Sequence, residues 1–141
     1  MLLSEEQQSI IVDAIKAAEK ETSGEIKVHV EQFCPGDVLE RAKAVFAQLE
    51  LHKTAQRNGV LFYLATVDRK FAILGDKGIN DAVPANFWQD IRNDMQSHFV
   101  MNQFAAGFAE GIQKSGVALK QFFPYQSDDI NEISDEISFG D

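Results

Sequence analysis

Glu25, Asn58 and Asp76 are hard oxygen donors, and Arg57 beside them is a ready anion partner. Two carboxylates and an amide oxygen suit Ca²⁺ or Mg²⁺ better than zinc, which favours nitrogen and sulfur ligands. With a metal bound by the three, Arg57 could pair an anion beside it. A plainer alternative uses the same residues. An Arg57–Asp76 or Arg57–Glu25 ion pair would close the end of a sheet, with Asn58-Gly59 serving as a turn.

Other chemistries fit the residues poorly. Gly75-Asp76-Lys77-Gly78 looks like a phosphate cradle but lacks the Gly-x-x-x-x-Gly-Lys-Ser/Thr spacing that wraps backbone N–H groups around a phosphate. Its glycines read as loop geometry. A thiol phosphatase needs Arg six residues after its cysteine, whereas after Cys34 the sixth residue is Glu40 and Arg41 is the seventh. There is no Asp-x-Asp pair and no Gly-x-Ser-x-Gly elbow. His29, His52 and His98 are scattered and read as partly exposed surface residues.

The elements that must position these residues follow from periodicity. Ser4-Glu5-Glu6-Gln7 is a capping box, and Ile11, Ala14, Ile15 and Ala18 stripe a helix over about 4–21. Glu25–Gln32 alternates, with Ile26, Val28 and Val30 on one side and Lys27, His29 and Glu31 on the other, which predicts a strand with one polar face. Asp37 caps a second helix striped by Val38, Ala42, Val45, Phe46 and Leu49. The nearly continuous apolar run Val60–Val67 predicts a central strand covered on both faces. Val67-Asp68-Arg69-Lys70 turns it back into Phe71–Leu74 as a hairpin.

A third helix opens at Pro84 and a fourth spans about 102–122, where Gly107 and Gly111 allow close approach to the sheet. The order α-β-α-β-β-α-α gives a three-layer α/β/α sandwich on a small mixed sheet, Rossmann-like but without the dinucleotide glycine fingerprint. In that topology the third strand ends where the first two begin. Glu25, Arg57, Asn58 and Asp76 therefore share one end of the sheet.

Residues 1–126 read as one domain and 127–141 as an acidic tail. The tail holds six of the 22 acids and no base, leaving 16 acids against 13 bases in the body. That balance and the lack of a basic patch argue against nucleic acid as a partner. No run reaches the length of a membrane span, so membrane insertion is not expected, and a single cysteine excludes an internal disulfide. A cytoplasmic protein is the expectation. Ile130, Ile133, Ile137 and Phe139 recur among the acids, a pattern that a solvated end does not need, so the tail is expected to dock on its own domain or on a protein partner.

Ser23-Gly24-Glu25-Ile26, Thr54, Arg57-Asn58-Gly59-Val60, Asp68-Arg69 and Gly75-Asp76-Lys77-Gly78-Ile79 together resemble the TPM domain family, over roughly residues 4–123. The resemblance implies a Rossmann-like α/β/α sandwich. Members are linked to photosystem II repair and to acid phosphatase activity with metal ions implicated, and one is an accessory protein of a receptor. A protein-interaction module, binding through its groove or tail, is the first expectation. The alternative the resemblance implies is a metal-assisted acid phosphatase, with Arg57 and Asp76 as its catalytic pair, the guanidinium acting as a phosphate clamp, and with Glu25, Asn58 and Asp76 as metal ligands.

Overall fold

A computed structural model describes residues 3–125 and 135–140. Helix α1, Glu5–Glu19, begins with a reciprocal cap: the Gln7 N–H donates to Ser4 Oγ at 3.1 Å and the Ser4 N–H donates to Gln7 Oε1 at 2.8 Å. Its inner stripe, Ile11 and Ile15, has no solvent exposure. Helix α2, Val38–Gln48, starts on Asp37, whose carboxylate accepts from the Glu40 N–H at 3.0 Å. These are the caps and stripes that the residue spacing predicts.

Strand β1, Glu25–Glu31, pairs in parallel with β2, Gly59–Ala65, from Glu25↔Gly59 to Glu31↔Ala65. Strand β3, Lys70–Gly75, returns antiparallel along β2. β2 is buried over its whole length. Val60, Phe62 and Leu64 enter one apolar cluster with Ile11, Ile15, Met95, Phe108 and Ile112. Leu61, Tyr63 and Ala65 enter another with Ala42, Val45 and Phe46 of α2. The sheet is thus the middle layer, as an uninterrupted apolar strand requires.

Four features depart from the expectations. A short helix α3, Lys77–Ala82, follows β3, capped by Asp76. Helix α4, Phe87–Phe99, begins three residues beyond Pro84. In α5, Phe104–Phe122, the two glycines face α4 more than the sheet: a Cβ on Gly107 would meet the Phe99 ring at 2.6 Å, and one on Gly111 would meet Met95 Sδ at 2.6 Å and the Phe62 ring at 3.1 Å.

The fourth departure changes the sheet. Segment 135–140 contributes a strand β4, Ser138–Phe139, parallel to β1, so the order is β3-β2-β1-β4. The polar side of β1 is buried along with its apolar side. Ile137 packs against the core, while Ile130 and Ile133 lie outside the described residues.

Phe62, fully buried between β2's neighbours and α5, gives the direct check on this core. Phe62→Ala is expected to cost about 3–5 kcal/mol in urea unfolding. A loss below about 1 kcal/mol would contradict the two-sided packing.

Candidate functional site at the edge of the sheet

Residues 54–59 carry the chain into β2 through a tight turn. Arg57 adopts φ 53°, its N–H donates to the Thr54 carbonyl at 3.2 Å, and the Asn58 N–H donates to Thr54 Oγ1 at 3.1 Å. The Gly75-Asp76-Lys77-Gly78 loop closes against this turn. The Gly78 N–H donates to the Arg57 carbonyl at 2.8 Å, and a Cβ on Gly78 would lie 2.1 Å from the Gln56 carbonyl oxygen. No side chain fits there. The glycine is required by backbone contact between two loops.

Asp76 and Arg57 form a bidentate pair, with Nε to Oδ2 at 2.6 Å and Nη2 to Oδ1 at 2.9 Å. Oδ1 also accepts from the Lys77 N–H at 2.8 Å, so both oxygens of Asp76 are engaged. Asn58 is 1% exposed. Its Nδ2 donates to Ser23 Oγ at 3.3 Å, and its buried Oδ1 accepts no hydrogen bond among the described residues. Glu25, also buried, lies across from Gly59, and its N–H donates to the Asn58 carbonyl at 3.4 Å. All four predicted residues reach the same end of the sheet. Among the described residues, no three or more of His, Cys, Asp and Glu are grouped to hold a metal ion.

A second polar cluster occupies the face of β1 that was expected to meet water. Glu31, 2% exposed, receives Arg41 from α2 at 2.8 Å on each oxygen, the Tyr63 hydroxyl from β2, and His29 Nε2 at 3.1 Å. Arg41 first, and then Tyr63 and His29, hold its carboxyl down at about 2 despite burial. His29 stacks on Tyr63 with ring centroids 5.9 Å apart. Burial lowers its pKa below the usual imidazole range.

His29 is therefore a buried residue, and the surface reading of it is corrected: the covers are Arg41 and the docked segment. His52 is exposed and His98 half-buried, in line with the expectation for them.

That segment is held by one side-chain contact and two bonds to its main chain. Ser138 Oγ lies 2.8 Å from His29 Nδ1, Lys27 Nζ donates to the Glu136 carbonyl at 2.6 Å, and the Gly140 N–H donates to the Val30 carbonyl at 2.9 Å. Burial lowers the Lys27 pKa. At the entry to β1, Glu19 Oε2 accepts from the Ile26 N–H at 2.7 Å. Burial, a hydrogen bond with Asp135 and the nearby Glu25 push the Glu19 carboxyl up to about 10. Reading β1 alone could not reveal this cluster; the apolar residues among the tail acids were its one signal.

The TPM domain family pattern matches residues 1–118. This chain belongs to the TPM domain family. It is similar in structure to the BA42 protein of the psychrophilic bacterium Bizionia argentinensis, at 47% identity and TM-score 0.91, over 99% of this chain and 97% of that one. An N-terminal domain from P. gingivalis matches at 20% identity and TM-score 0.61, over 85% of this chain and 78% of that one. The N-terminal domain of the cg2496 protein from Corynebacterium glutamicum matches at 16% and 0.59, over 83% and 74%. Those two share the fold. No curated protein matches. Among the described residues, no helix of this TPM domain is long and apolar enough to cross a membrane.

Half-buried Glu19 and buried Glu31 give opposite pH signatures. Glu19 is raised above its ordinary 4.5, so its contribution is present at low pH and is lost as pH rises from 4.5 toward about 10. Glu31 is depressed, so its contribution is present above 4.5 and is lost as pH falls toward about 2. Glu19→Gln should therefore gain on wild type as pH rises, with urea midpoints compared at about pH 5 and about pH 9. Glu31→Gln should lose about 1–3 kcal/mol at neutral pH and flatten the acid limb. Parallel pH profiles for wild type and either variant would contradict these assignments.

Proposed function

We propose that this TPM domain is a protein-interaction module whose binding surface is the outer edge of β1. The observation supporting it is β4: the edge already accepts an extended segment through main-chain pairing and specific side-chain contacts. Adding a strand to a sheet edge is a general mode of peptide recognition. Removing residues 126–141 should lower the unfolding temperature, because Ile137 leaves the core and the Lys27, His29 and Glu31 row meets water. A synthetic peptide of residues 135–141 added in trans should restore it. Unchanged melting on truncation, or a peptide without effect on the truncated chain, would refute the edge as a binding surface.

A metal-assisted phosphatase is the second reading. It is favoured by the acceptor Asn58 Oδ1, buried without a donor, and by a cleft of about 400 Å³ lined by Lys43, His52, Arg57 and Asp76. A phosphomonoester there would draw on Arg57 as its clamp, which requires the guanidinium to leave Asp76. With both oxygens of Asp76 engaged by Arg57 and the Lys77 N–H, Glu25, Asn58 and Asp76 do not fit a divalent cation as one ligand set. Assayed with p-nitrophenyl phosphate and Ca²⁺ or Mg²⁺, wild type should turn over no faster than Arg57→Ala. Turnover that Arg57→Ala abolishes would overturn the interaction reading in favour of the enzyme.

A further inference from the structure

The segment on β1 is recognised position by position. Ile137 points to the apolar core and Ser138 to His29 on the opposite face, as strand alternation requires. Phe139 is exposed at 46%, so among 137–140 the edge encloses its side chain least. At Gly140 a Cβ would lie 2.3 Å from Glu31 Oε1 and 2.9 Å from His29 Nε2. Both atoms belong to the network locked by Arg41 and Tyr63, so neither side chain can give way cheaply. The edge accordingly admits glycine there and rejects every other residue. One place before Ile137, the carbonyl of Glu136 is held by the Lys27 ammonium, so the strand enters along a basic stem while its acidic side chain stays exposed.

Resting on the interaction-module reading, we infer that the edge of β1 reads an extended segment of the form apolar, Ser, any residue, Gly. Segment 137–140 is its internal ligand, and a partner protein carrying the same spacing on an acidic stretch displaces it. The hold on the internal copy is short, two strand residues against the seven of β1, with half of Phe139 left in water. A strand so briefly paired exchanges readily for another of the same chemistry. Charge favours an acidic entrant at its first positions, since Lys27 attracts Asp135 and Glu136 of the internal copy while Arg41 and Glu31 compensate each other.

The test uses the full chain with Gly140→Val, in which the added side chain unseats the internal ligand. Seating is read from the His29 ring resonances. A labelled peptide of residues 134–141 should bind this variant at least about tenfold more tightly than it binds wild type, whose edge is filled. The Ser138→Ala peptide should bind about tenfold more weakly, the loss expected for one buried hydrogen bond. The Gly140→Ala peptide should not bind. If all three peptides bind alike, the selectivity is wrong while the edge remains a binding surface. If none binds although His29 reports an unseated segment, both this inference and the interaction reading fail. If Gly140→Val stays seated, the glycine requirement is refuted. If wild type instead forms dimers by exchanging the segment as concentration rises, the occupant is a second copy, and the partner-protein inference is overturned.

Discussion

The buried carboxylate of Glu31 is the constraint on which the sheet edge depends. A charge removed from water is tolerated only when it is paired and its lone pairs are filled, and here the partners come from separate elements. Arg41 brings α2, Tyr63 brings β2, and His29 transmits the arrangement to Ser138 of β4. One ion network therefore fixes the helix covering one face, the register of the central strand and the place of the fourth strand. Gly140 completes it by having no side chain to disturb it.

The opposite end of β1 is organised differently. There the Gly75-Asp76-Lys77-Gly78 loop and the turn at residues 54–58 lock by backbone contact, with Arg57 and Asp76 stapling them from outside. The motif that most resembles a phosphate cradle is thus occupied by protein backbone. What remains beside it is the cleft around Arg57 and, enclosed behind the turn, the Oδ1 of Asn58, which has no donor among the described residues.

Much of this was legible in the residues. The capping box at Ser4, the cap at Asp37, the doubly covered β2 and the β2–β3 hairpin follow from local patterns, and the structure reproduces them. The convergence of Glu25, Arg57, Asn58 and Asp76 also followed, because an antiparallel third strand must end where the parallel pair begins. Alternation in β1, by contrast, cannot distinguish a polar face in water from one buried under a helix arginine and a strand more than 100 residues away in sequence. Partner choice for Glu31 was likewise invisible, since Arg41, Tyr63 and Ser138 meet it or its neighbour only in the folded chain. α3 escaped notice because six residues are too few to show helical period.

The most direct measurement of the seated segment is hydrogen exchange at the Gly140 amide. That N–H donates to the Val30 carbonyl at 2.9 Å and exists as a hydrogen bond only while the segment is seated on β1. Exchange there is expected to be slowed at least about tenfold relative to an unstructured peptide at the same pH. Exchange of Gly140 at the free-peptide rate, with Val28 and Phe62 protected in the same sample, would contradict it.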